Sequence, residues 1–221
     1  MSEDSLENSL PRNSAAPQVR TKRVRAAAHD LFAQPLAWNE IVFDDRPLEI
    51  EVGSGKGLFL ESAAKARPGH QFVGVELAAK FAHRAADRLS QSGLTNAKMF
   101  RGDAERFLCE TVPASVAHAV HVYFPDPWWR KKHKKRRVLN DETLAAIERV
   151  LIPGGKFHFW TDVLDYYEFI CEMVMDQTKF DGPRYVPERP AQHDLDYTTH
   201  FERRARRNGQ PIYRSIFVKP V

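Results

Sequence analysis

The chain predicts an α/β fold, a doubly wound and mostly parallel sheet that ends in an antiparallel C-terminal strand. Three observations carry this expectation. Short apolar runs alternate with helix-period segments from Pro47 onward. A turn with three glycines, "GSGKG", stands between the first run and the first helical segment. The last segment, "PIYRSIFV", alternates as an edge or hairpin strand does.

Taken in order, "LEIEV" (48–52) and "QFVGV" (71–75) read as buried strands, with a helix over 58–66 between them. A second helix, 78–90, leads through the Gly93 turn to the strand "AKMF". A helix over 104–110, the strand "AHAVHVYF" and a helix over 141–151 follow. The turn in "PGGKFHFWTD" opens a further strand, and 164–177 has helical spacing. Residues 180–196 hold three prolines and little periodicity, so they read as a long connection of the kind that carries function. "TTHFERRARRNG" is a short helix stopped at Gly209. Residues 1–18 are polar and proline-punctuated and read as a disordered tail, 19–47 as a basic extension, and 48–221 as the single domain.

Charge is concentrated. The formal net charge is +4, yet Trp128–Arg137 alone holds seven Lys and Arg and no acid, so the remainder is mildly acidic. Such a block on an acidic body points to localised phosphate binding; its plainer reading is a solvated face. The two cysteines, Cys109 and Cys171, make no CxxC motif or disulfide scaffold, which points to a reducing, cytoplasmic setting. No apolar run reaches membrane-spanning length, the amino terminus has no apolar signal core, and the nine histidines form no zinc pattern.

The glycine turn is not a dinucleotide fingerprint, because position 58 is Leu, and not a Walker loop, because Lys56 is followed by Gly57. Gly53 and Gly55 let a ligand approach the backbone closely. Glu76 ends the second strand, where a carboxylate accepts from ribose hydroxyls, and Asp103 follows the third, within reach of an adenine amino group. Each alone reads rather as a helix cap or a solvated acid. With Glu51 they outline an adenosine site, and Asp126, after the fourth strand, faces the same crevice.

Together "EVGSGKG", "GVE", "GDA", "VYFPDPWWRKKHKKRR", "WTD" and "TTHFE…IYR" resemble the tRNA (guanine-N7)-methyltransferases over about residues 48–218. The glycine turn is common to many methyltransferases; "FPDPW" with its basic block is the specific part. The resemblance implies a Rossmann-like, class I S-adenosylmethionine-dependent methyltransferase that acts on guanosine 46 in the variable loop of tRNA. It implies cofactor contacts at Glu51, Gly53, Gly55, Glu76, Asp103, Ala104 and Asp126, with Asp126 also catalytic. It further implies substrate contacts at Arg130, Asp162, Thr199, His200, Phe201 and Glu202. RNA contacts would fall on Lys132, His133, Lys134, Lys135, Arg136 and Arg137. Arg130 and His200 depart from the pattern, where Lys is common, and Arg is not equivalent to a point-charge Lys. No obligatory protein partner is implied.

Guanine N7 carries a lone pair and needs no deprotonation, so the reaction asks for alignment and electrostatics. Asp126 would favour the cation developing on the purine; general-base action is the alternative. Asp162 and Glu202 could accept from N1–H and the N2 amine, but Thr199-x-x-Glu202 is also a helix capping box. Trp128 and Trp129 stack a base or anchor the loop. Two other functions stand beside this one: a noncatalytic tRNA-binding module on the same fold, and a methyltransferase acting on a small molecule or protein, for which the cationic block would be idle.

Overall fold

A computed structural model describes residues 26–34, 36–42, 44–128, 137–188 and 197–221. The elements are β1 (His29–Asp30), α1 (Trp38–Ile41), β2 (Leu48–Val52), α2 (Leu58–Ala66), β3 (Gln71–Glu76), α3 (Ala79–Gln91), β4 (Ala97–Arg101) and α4 (Ala104–Arg106). They continue with β5 (Ala117–Tyr123), α5 (Asp141–Val150), β6 (Leu151–Thr161), α6 (Leu164–Gln177), β7 (Asp181–Tyr185), α7 (His200–Arg207) and β8 (Tyr213–Val218). One eight-stranded sheet has the order β1-β4-β3-β2-β5-β6-β8-β7. Pairs from β1 through β6 are parallel; β8 runs antiparallel to β6 and to β7. The chain winds outward from β2 through β3 and β4, then returns to β5 on the other side of β2. The junction of β2 and β5 is therefore the topological switch point, where such sheets open a crevice beyond the strand ends.

Strand periodicity assigns the two faces different chemistry. Ile50, Val73, Val75, Val120, Val122, Phe157 and Phe159 join Ile147 and Ile170 of α5 and α6 in the larger core. The alternate residues face α2 and α3, where Leu60, Phe72, Ala82 and Ala85 form the second cluster. That face also carries a polar group. Glu49, 5% exposed, accepts from Arg67 Nη2 at 2.8 Å and His121 Nε2 at 2.7 Å, and pairs with His70 Nδ1 at 2.8 Å. Burial opposes ionisation of Glu49, but the His121 bond and the neighbouring cationic side chains overcome it and hold the acid at about 2. Burial pushes the His121 imidazole down. With the ring neutral, Nε2–H donates to Glu49 and Nδ1 accepts from the Tyr123 hydroxyl at 2.8 Å.

Most sequence-predicted elements are present, α1 is an addition within the basic extension, and four further differences stand out. His29–Asp30, in the basic extension, adds a strand to the sheet edge beside β4. The helix expected over 104–110 is one turn of α4 running into a π-helical turn, Phe107–Thr111. β6 begins at Leu151, ahead of the glycine turn. The connection expected over 180–196 opens with β7, an outer strand. β7 contains Gly182 and Pro183 and is exposed at four of its five residues. An edge strand needs no buried face and tolerates proline, so it shows no hydrophobic period.

Candidate active site

Beyond the ends of β2 to β5 lies a cavity of about 920 Å³, within the range of cofactor sites. The loop after β2 builds its floor. Gly57 is the α2 N-cap at φ 70°, and a Cβ there would stand 2.6 Å from Ala85 Cβ. Only glycine fits where α3 crosses this close. At Gly53 and Gly55 no atom lies within 4 Å of where a Cβ would stand, which leaves the backbone open to the cavity.

The acids take up distinct positions. Glu76 accepts from Gly55 N–H at 2.9 Å and Ala78 N–H at 2.8 Å, one bond to each oxygen. Its carboxylate is thereby fixed between the glycine loop and the start of α3, and each oxygen keeps a further lone pair. Asp103 caps α4, with Oδ1 accepting from Glu105 and Arg106 N–H at 3.0 and 3.2 Å; it both caps and lines the cavity. Glu51 is 4% exposed, and its Oε2 has no hydrogen-bond partner. Burial pushes it up to about 8, against a bond from Ser54 and with help from the charge of Glu76.

Asp126 is exposed on the loop after β5. Phe124 and Trp128, on either side of the Pro-Asp-Pro triplet, have φ of 52° and 42°. Non-glycine residues in this region carry strain that surrounding contacts must hold. Phe124 N–H donates to Trp160 O at 2.7 Å, and Arg137 Nε donates to Pro127 O at 2.8 Å. The Arg137 guanidinium also lies 5.0 Å from the Phe169 ring centre and 5.7 Å from that of Tyr166. The loop is thus clamped at both ends, with two prolines limiting its freedom between them.

The cavity lining brings together Glu51, Gly53, Gly55, Glu76, Asp103, Ala104, Asp126, Thr199, His200 and Phe201. Three expected contacts are placed differently. Arg137 borders the cavity, is 9% exposed and donates to the Pro127 carbonyl, so the structure shows it as a loop anchor. Glu202 is 1% exposed. It is bound to Arg206 at 2.7 Å and Arg214 at 3.3 Å and accepts from Thr198 N–H, while Thr199 Oγ1 caps α7 by accepting from Glu202 N–H at 3.0 Å. The cap is thus present, and the Glu202 carboxylate already receives three internal donors. Asp162, half-buried past the end of β6, is not among the lining residues. Arg130, Lys132, His133, Lys134, Lys135 and Arg136, with Trp129, lie outside the described residues.

Leu77, Phe81, Trp128 and Arg204 also line the cavity. Leu77 and Phe81 are 62% and 38% exposed; their signal was an apolar pair at a helix start whose side chains have no core to face. Among the described residues, no group of three or more His, Cys, Asp or Glu could hold a metal ion, and no helix is long and apolar enough to cross a membrane.

The family profile described as "Putative methyltransferase" matches residues 45–215. A tRNA (guanine-N(7)-)-methyltransferase of Rhodopirellula baltica is 47% identical over 182 residues, covering 80% of this chain and 67% of that one. One from Hydrogenovibrio crunogenus is 34% identical over 188 residues, covering 83% and 77%. Among solved structures, the 16S rRNA methyltransferase KamB superposes with a TM-score of 0.58 at 16% identity, covering 86% of this chain and 93% of that one. A tRNA (m1A58) methyltransferase from Aquifex aeolicus gives 0.53 at 17% identity, covering 83% and 66%. At such identities these structures speak for the fold alone.

Proposed function

The chain belongs to the tRNA (guanine-N7)-methyltransferase family, and on that premise we propose that it methylates N7 of a guanine in tRNA, the target being guanosine 46 of the variable loop. The observation that carries the reading for this chain is the meeting of the glycine loop, three carboxylates and the clamped Asp126 loop around one cavity at the sheet's switch point.

S-adenosylmethionine is the cofactor, and the residues present suit it. The open backbone at Gly53 and Gly55 leaves room for a ligand. The unpartnered Glu51 oxygen supplies an acceptor for a cationic group, which a buried acid otherwise lacks. Glu76 would hold the ribose, and Asp103 with Ala104 the adenine. When bound, the cofactor supplies an electrophilic methyl on a positively charged sulfur.

The chain's own part is placement and charge. Asp126, on its strained and clamped loop, stabilises positive charge as it moves onto the purine, with no proton to remove from N7. Thr199, His200 and Phe201 at the start of α7 face the base, and Glu202 fixes that helix through Arg206 and Arg214. Arg130 would contact the substrate, and the run from Lys132 to Arg136 would hold the RNA backbone. The reading includes tRNA as partner, no obligatory protein subunit, and a cytoplasmic location.

Purified protein, incubated with cofactor labelled in the methyl group and unmodified tRNA, should label the RNA; cleavage at N7-methylguanosine should map the label to position 46. Label elsewhere would overturn the target, and tRNA binding without transfer would leave a noncatalytic RNA-binding module. Glu76→Ala should weaken binding of S-adenosylhomocysteine about ten- to 150-fold, the equivalent of roughly 1.5–3 kcal/mol for a charged hydrogen bond. Its tRNA affinity should stay unchanged. Calorimetric titration checks this, and an unaltered dissociation constant would remove Glu76 from the site.

A further inference from the structure

We propose that cations on α3 and α7, outside the cavity mouth, form a second contact face for the phosphate backbone of the RNA substrate, separate from the basic block after Trp128. The proposal rests on the tRNA reading and states where the RNA runs once its guanine is in the cavity.

On α3, Lys80, Arg84 and Arg88 recur every fourth residue. They therefore share one face, with about 6 Å of helix axis between successive members. Arg88 is committed: it donates to Glu61 at 2.7 Å and to the Lys56 carbonyl at 3.0 Å, tying α3 to the glycine loop. Lys80 and Arg84 are exposed and, among the described residues, enter no ion pair. On α7, the one acid is Glu202, which is buried and neutralised from within. Arg204 and Arg207 are left exposed on its outer side.

The two helices converge on the same opening. Phe81 of α3 and Arg204 of α7 both line the cavity, as does Lys56. His200 reports their proximity: after its burial, the charges of Arg88, Lys56 and Arg203 push its imidazole down. Lys80, Arg84, Arg204 and Arg207 enter no ion pair among the described residues, so their charges are left for an anionic ligand. Aromatic rings are interleaved with the cations. Lys56 Nζ lies 6.0 Å from the Phe81 ring centre, and the Arg204 guanidinium 5.0 Å from that of Phe201, which itself stacks on Phe124 at 5.9 Å. Phe81 and Phe201 are 38% and 45% exposed. Cations alternating with exposed rings are the pattern of a surface that follows a sugar–phosphate chain while unpaired bases stack. An anionic membrane would use the charge but would have no need of a cavity at the centre.

The test is a triple variant, Lys80→Gln/Arg84→Gln/Arg207→Gln, chosen because all three side chains are exposed and lie outside the cavity lining. Unmodified tRNA binding is titrated across salt concentrations, alongside binding of S-adenosylhomocysteine. Each lost phosphate contact lowers the log–log salt slope by about 0.9 on duplex or about 0.7 on single strand. Loss of two contacts should weaken tRNA binding roughly 25- to 60-fold at 0.1 M salt against a 1 M reference. Cofactor-product affinity and melting temperature should match the wild type. A wild-type salt slope and affinity in the variant would overturn the proposal. So would a defect confined to binding vesicles of phosphatidylserine and phosphatidylcholine. The readout is binding alone, so failure of the wild type to methylate N7 would sink the functional reading without being mistaken for failure here.

Discussion

Asp126→Asn will hold tRNA as well as the wild type does and turn it over about 100- to 1,000-fold more slowly, the usual loss when one preorganised electrostatic group is removed. The substitution keeps size and shape, so the clamp on Pro127 and the positive-φ residues at 124 and 128 stay in place. Only the negative charge beside the transfer path is lost. The defect should appear in single-turnover methylation at saturating tRNA and cofactor, where binding no longer limits. Full activity in the Asn variant would remove Asp126 from the chemistry.

Glu51→Gln should raise the stability of the cofactor-free protein while weakening cofactor binding. The sign follows from where the proton sits. Burial holds the folded acid at about 8, above its ordinary 4.5. The folded state therefore keeps a proton that the unfolded chain gives up. The stability associated with that proton is complete below about pH 4.5 and is lost as pH rises through about 8. The loss is about 1.4 kcal/mol per pH unit within that window. Gln resembles the protonated acid and does not titrate, so at pH 7 the variant should be more stable by roughly 3 kcal/mol. For the wild type, a cationic ligand at the unpartnered Oε2 favours the ionised acid, so cofactor binding at pH 7 should release a proton. Calorimetry in buffers of different ionisation enthalpy measures that release. Melting curves of wild type and Gln variant that stay parallel from pH 5 to 8.5 would show that Glu51 does not hold the raised value.

How much of this was legible in the sequence depends on the range of the forces involved. The central strands were readable because burial on both faces leaves a continuous apolar run, as in "QFVGV". The glycine loop, Glu76 and Asp103 were readable because each sits at a strand end, a place that topology fixes. β7 was not, because an edge strand with Gly182 and Pro183 has no buried face to impose a period. Glu202 and Arg137 looked like surface charges. Their burial depends on partners 12 residues away for Arg214 and 10 away for Pro127, and on α6 for the rings under Arg137. Spacing along the chain carries no trace of such pairings. The left-handed backbone at Phe124 and Trp128 was equally hidden, since neither residue type favours it.

The Glu49 group on the helix-covered face of the sheet sets a rule for how this protein can change over generations. Its members come from β2, the turn before β3, and β5, and neither buried member, Glu49 or His121, can be exchanged cheaply by itself. Removing Glu49 strands the His121 Nε2–H, while removing His121 leaves Tyr123 and Glu49 each short of a partner in a dry interior. Replacing the whole set with well-packed apolar residues can be neutral or better. The path between the two states passes through intermediates less stable than either end, which couples the substitutions. Lineages should therefore carry the group whole or lack it whole, and an engineer wishing to remove it should change every member in one step.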